Sequence, residues 1–244
     1  MRCTGEKVKP LSREKKFDWR AFVLYADKLT LYERIERRCE AIVEMGLFDE
    51  VMDLYAQGLL RESASSVRRS IGYKETLDFL QQNPVSFVRS IGLNLFTYSL
   101  PQYPITVDQF LHFMNTFKTA SRNYANYQYK WFRSQKEFQW IDVTDFVALV
   151  NQQENDAQCD AIMEKWAEYV SNSYFLSSNE YQAETEETIR LKQRSMTPQH
   201  SSRVEKANYL MSLGKLYIYQ DEQLLFQRVE KINQKLEELR LFKE

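Results

Sequence analysis

Fourteen residues, Ala120 to Arg133, read Ala-Ser-Arg-Asn-Tyr-Ala-Asn-Tyr-Gln-Tyr-Lys-Trp-Phe-Arg and hold three cations, five aromatic rings and one glutamine. Cationic side chains neutralise phosphates, rings stack on bases, and a carboxamide reads a base edge. Together these groups suit contact with nucleic acid, above all with bases that have left the stack. The segment has no proline or glycine, so nothing in it forbids a helix. On a helix, residues three, four and seven apart share a face. Arg122, Tyr129 and Arg133 then lie near one stripe, and Tyr124, Gln128 and Trp131 lie on another. A blander reading of the same pattern is an amphipathic helix with core aromatics and solvated cations, and composition alone favours it.

The helix that carries this segment begins earlier. Thr106 with Gln109 makes a capping box, and Phe110, Phe113, Met114 and Phe117 follow at helical spacing, so a helix is expected over Thr106 to Lys130. Upstream, Arg20 to Tyr25 is a short apolar run and the best strand candidate. No second clear strand follows. A strand needs partners for its backbone groups, so the sheet's other strands are expected to lie outside this chain. Leu29 to Met45 reads as a helix ending at Gly46, and Leu47 to Gln57 as another ending at Gly58. Arg34, Arg37 and Arg38 form a basic face on the first, with Glu33 and Glu40 placed to pair with them.

Arg68-Arg-Ser-Ile-Gly-Tyr-Lys-Glu75 crowds ionisable groups round one glycine, which lets a backbone or ligand approach closely. Arg89-Ser-Ile-Gly92 echoes Arg69-Ser-Ile-Gly72, too briefly to establish a repeat. Beyond Asp142 the character shifts. Val143 to Tyr169 looks helical, with an interruption at Asn151 to Asn155. Ser171 to Ser202 is polar and reads as a mobile connection. Arg203 to Leu216 and Gln220 to Phe242 look helical. Leu224, Leu225, Val229, Ile232, Leu236 and Leu239 make a seam in the last helix, for its own domain or for a partner helix.

Composition narrows the class. The chain has 33 Lys and Arg against 34 Asp and Glu, so any pull on nucleic acid is local rather than global. Three separated cysteines and two histidines give no zinc spacing, and reduced intracellular thiols are expected. No apolar run reaches membrane-spanning length. Glycine and proline are scarce, which points to a mainly α chain.

Four blocks, in order, resemble the tRNA dimethylallyltransferase family. The first is Thr4-Gly5 through Leu11-Ser12. The second is Leu31-Tyr-x-Arg34-Ile35-x-x-Arg38 followed by Gly46-Leu47-x-x-Glu50-Val51. The third is Ile71-Gly72-Tyr73-Lys74-Glu75. The fourth is Ser121-Arg122-x-Tyr124-Ala125-x-x-Gln128-x-x-Trp131-Phe132-Arg133 with Trp140-Ile141-Asp142. The resemblance covers residues 1–142 and not 143–244. It implies a helical C-terminal portion of a P-loop-type α/β core with one residual strand, followed by a helical extension.

The implied activity is transfer of a dimethylallyl group from dimethylallyl diphosphate to N6 of the adenosine 3′ of the tRNA anticodon. The partner would be the tRNA anticodon stem-loop, with Mg²⁺ and dimethylallyl diphosphate needed by the complete enzyme. The family's nucleotide-type P-loop, G-x-x-x-x-G-K-[ST], occurs nowhere in these residues, and its catalytic Asp and Thr would precede Met1. The expectation is therefore a chain without catalytic residues, metal ligands or diphosphate site, inactive alone and dependent on a P-loop-containing half. Carried over residue by residue, tRNA contacts are expected at Arg69, Ser70, Ile71, Gly72, Tyr73, Lys74, Arg122, Gln128, Lys130, Trp131 and Arg133. Arg69 would stand beside the reacting centre.

One departure matters. The family's Lys-Arg before the glutamine is Asn126-Tyr127 here, while Lys130 restores one charge. Weaker, less salt-sensitive tRNA binding is expected. Two other classes fit the residues: a non-catalytic helical RNA-binding or scaffold protein, and a helical protein-interaction module.

Overall fold

β1 (Ala21–Tyr25) and β2 (Phe138–Asp142) lie side by side and parallel, with Ala21 opposite Phe138 and Tyr25 opposite Asp142. This is a computed structural model, and it describes residues 19–60, 66–82, 104–152, 156–176, 183–196 and 215–241. The Thr4–Ser12 block, the Arg89–Gly92 echo and most of the helix expected at Arg203 to Leu216 fall outside those residues. The mainly α class holds: the described elements are eight helices and two strands. The single strand expected from sequence is corrected to a pair. β2 escaped notice because Gln139, Trp140 and Ile141 are all buried. A parallel strand covered on both faces lacks the apolar–polar alternation that betrays a half-exposed one.

Parallel strands need a crossover. Here it includes α1 (Lys28–Glu44), α2 (Leu47–Ala56), α3 (Tyr73–Gln82) and α4 (Val107–Ser134). Asp27 caps α1 by accepting from the backbone of Leu29 and Thr30. Gly46 separates α1 from α2 at φ +108°, a left-handed value that a side chain would strain. The Thr106–Gln109 capping box opens α4 as expected. Phe110, Phe113, Met114 and Phe117 then point into the main core, beside Phe48, Val51 and Met52 of α2 and Leu77 and Leu80 of α3.

Residues beyond 143 complete these cores. α5 (Thr144–Gln152) and α6 (Asp156–Phe175) cover one sheet face, with Val147 and Trp166 against Phe22, Ala26 and Ile141. α7 (Glu186–Met196) lies within the stretch read as a mobile connection, so that reading is corrected there. Its Thr188 and Leu191 are fully buried, and Thr188 Oγ1 accepts from the Trp140 backbone N–H at 3.0 Å. That bond satisfies an outer-edge donor of β2 that would otherwise recruit another strand. α8 (Glu222–Leu241) lays Leu225, Val229, Ile232 and Leu236 into the main core. Those four seam residues therefore pack at home, while Leu224 of the same seam is 45% exposed.

Charged groups tie the ends together. Lys118 and Glu40, both wholly buried, pair at 2.6 Å. Glu40 thus faces inward, while Arg37 pairs with Glu33 at 2.9 Å. Arg228 donates to Glu44, with its Nε 2.8 Å from Oε1. Those bonds, outweighing burial, hold the Glu44 carboxyl below the usual 4.5. A lowered carboxylate pKa stabilises the fold above the ordinary value, and that contribution fades as pH falls through the lowered one. Thermal unfolding of wild type and Glu44→Gln, followed from neutrality to about pH 3, should show a steeper decline in wild type as the pH falls below the ordinary carboxylate value. Parallel curves would mean that the α8 clasp does not form.

Candidate functional site

α4 exposes one side of its C-terminal half. Tyr124, Tyr127 and Trp131 are 54%, 70% and 54% accessible, spaced three and four residues apart. Gln128 and Lys130 are exposed with them. Tyr129 instead points inward, where its hydroxyl accepts from Ala26 N–H at 3.1 Å and donates to Ala26 C=O at 3.0 Å. Burial pushes its pKa up to about 12. The two stripes read from sequence thus have opposite fates. The one with Tyr124, Gln128 and Trp131 faces solvent, and the one with Arg122, Tyr129 and Arg133 turns toward the protein.

Arg122 is the clearest departure from the expected contact set. It is 6% accessible and forms an ion pair with Glu36 of α1. A guanidinium so committed holds two helices together and is not offered to a phosphate. Arg133 is half-buried and donates to the Ser195 carbonyl at 3.2 Å and hydroxyl at 3.1 Å. Helical side chains lean toward the helix N-terminus, and α4 runs back along β2, so Arg133 reaches the carboxyl end of the sheet. Burial first, and the Arg133 charge second, hold the Lys28 ammonium below the usual lysine range. Ligands of parallel sheets bind at that end. Sequence reading missed Lys28, since nothing local marks its nearness to Arg133.

The Arg69–Lys74 segment forms the turn into α3. Arg69, Ser70 and Ile71 are exposed, and Arg69 does not pair with Glu75. Glu75 instead accepts from the Gly72 N–H at 2.7 Å. Gly72 has φ +96°, and a Cβ there would meet the Phe117 ring at 3.4 Å. The glycine therefore serves a backbone turn pressed against α4. Tyr73 donates to Glu50 at 2.5 Å, and that bond, more than burial, moves its pKa up to about 12. Lys74 pairs with Asp78 at 3.2 Å on the surface. From Phe117 to Tyr124 is about 10 Å along the axis of α4. The two candidate segments thus lie about two turns apart along one helix.

A family model described as IPP transferase matches residues 1–135. The chain belongs to the IPP transferase family. The relatives are consistent. A tRNA dimethylallyltransferase of Protochlamydia amoebophila is 33% identical over 148 residues, covering 59% of this chain and 36% of the relative. One of Thermotoga maritima is 32% identical over 143 residues, covering 58% and 38%. One of Exiguobacterium is 33% identical over 127 residues, covering 52% and 32%. The chain therefore spans about a third of the length of these relatives. No solved structure matches it.

Within this IPP transferase chain, the family match ends at the close of α4, just before β2. Among the described residues no group of three or more His, Cys, Asp or Glu side chains is arranged to hold a metal ion. No helix among them is long and apolar enough to cross a membrane.

Proposed function

We propose that this chain carries the RNA-handling part of tRNA dimethylallyl transfer. The anticodon loop lies along the outer stripe of α4, with Gln128 facing a base edge and Lys130 and Arg69 facing phosphates. The single observation that carries this reading is the exposure of Tyr124, Tyr127 and Trp131 on a helix whose Phe110, Phe113, Phe117 and Tyr129 are core. An exposed ring row costs solubility unless something covers it, and bases are the cover that the relatives' printed names suggest. Among the predicted contacts, Ser70, Ile71 and Gly72 shape the α3 turn, Lys74 flanks it, and Tyr73 braces it through Glu50. Lys28 and Arg133 lie near each other at the sheet's carboxyl end. With no P-loop in its 244 residues, the chain alone is not expected to transfer the prenyl group.

Binding of an anticodon stem-loop RNA to the chain, followed by anisotropy across a salt series, tests this. Arg69→Ala and Lys130→Ala should each weaken binding and flatten the logarithmic salt slope by about 0.7. Absence of binding, or slopes unchanged in both variants, overturns the proposal. Turnover by the chain alone, with tRNA and dimethylallyl diphosphate, would refute the expectation of inactivity.

A further inference from the structure

We infer that Tyr127, with Tyr124 and Trp131, forms a stacking surface for unpaired RNA bases, so that this chain grips its loop by rings where a cationic pair would grip by charge. This rests on the RNA-binding reading above and goes beyond it in naming the physical mode. Tyr127 is the most exposed of the three rings. Its neighbour Asn126 is uncharged, and its amide gives one of its two hydrogens to the Tyr32 hydroxyl of α1 at 2.7 Å. No cation therefore stands at either position.

The Trp131 end of the surface is braced and extends beyond the helix. The Trp131 ring meets Phe132 and Phe138 edge-on, with centroids 4.9 and 6.1 Å away. Trp19, 46% accessible, also meets Phe138, with centroids 6.1 Å apart. A ring fixed by its neighbours loses little freedom when a base covers it. Along the axis the three residues of α4 are separated by about 4.5 and 6 Å. Both steps exceed the roughly 3.4 Å between stacked bases. The row therefore matches bases already splayed from a loop and not the closed edge of a duplex. Lys130 supplies a charge for the backbone between them.

The test uses the whole chain and two RNAs, an anticodon stem-loop and a blunt duplex of the same length. Tyr127→Ala is on the surface, so an unchanged melting temperature is expected to show that the fold survives. It should lose roughly tenfold in affinity for the stem-loop, with no change for the duplex and no change in salt slope. Tyr127→Phe should bind as wild type, since a ring and not a hydroxyl is needed. Tyr127→Arg should steepen the salt slope by about 0.7. Full stem-loop affinity in Tyr127→Ala, alongside losses in Arg69→Ala and Lys130→Ala, overturns the inference and leaves the wider reading standing. No binding by wild type overturns both. Self-association of the chain abolished by Tyr127→Ala also overturns it, in favour of a protein-binding face.

Discussion

Replacing Lys118 by methionine is expected to cost about 3–5 kcal/mol of stability, because it strands a buried carboxylate. Lys118 gives one bond to Glu40 at 2.6 Å and another to the Lys215 carbonyl at 2.7 Å. Glu40 in turn accepts from the backbone N–H groups of Tyr217, Ile218 and Tyr219, the nearest at 2.6 Å. Three amides and an ammonium converging on one carboxylate make a charge-satisfied knot between α1, α4 and the segment leading into α8. Tyr217 closes over it, with the Arg37 guanidinium 4.4 Å from its ring. Without Lys118 the amides remain, but a full negative charge sits in an apolar interior with half its compensation gone. Denaturant titration followed by circular dichroism measures the loss. A change under about 1 kcal/mol would show the site wetter than its burial implies. Glu40→Gln should be comparably harmful, since its amide NH₂ would confront donors.

Removing residues 143–244 is expected to abolish cooperative unfolding altogether. The main core would lose Tyr219, Leu225, Val229, Ile232 and Leu236, and the sheet would lose Leu191 on one face and Val147 and Trp166 on the other. At about 1.5–3 kcal/mol for each buried aliphatic, the four from α8 alone approach the 5–15 kcal/mol that holds a whole domain. The truncated chain should bind hydrophobic dye and melt without a transition. Ile232→Ala, a milder probe of the same packing, should cost about 2–5 kcal/mol. A truncated chain that melts as sharply as the full one would show that the C-terminal helices are an accessory. The packing has a consequence for experiment as well. Loss of RNA binding on truncation would report unfolding, so surface variants such as Tyr127→Ala are the informative ones.

Much of the local structure was legible because its determinants are neighbours in the chain. Thr106 and Gln109 announce α4, Gly46 ends α1, and the apolar run at Ala21–Tyr25 declares a strand. The family blocks were legible for the same reason, each being a short contiguous pattern. The candidate site was half legible. The split of α4 into two stripes follows from helical spacing, and it correctly grouped Tyr124, Gln128 and Trp131 on one side. Spacing is silent on which side faces out. Aromatic content argued for the core, and Tyr129 obeys while Tyr124, Tyr127 and Trp131 do not.

That choice was made by partners far away in sequence. Glu36 draws Arg122 inward, the Ala26 backbone takes the Tyr129 hydroxyl, and Tyr32 ties down Asn126. The same holds for β2, identified as a strand only once Tyr25 and Thr188 flank it, and for Glu40, whose turn inward depends on Lys118 and on amides near residue 218. Residue order decided which segments coil and which chemistry they carry, since both depend on near neighbours and side-chain type. Which of those groups remain exposed was left to tertiary packing, because burial and ion pairing are settled only when distant segments compete for the same face.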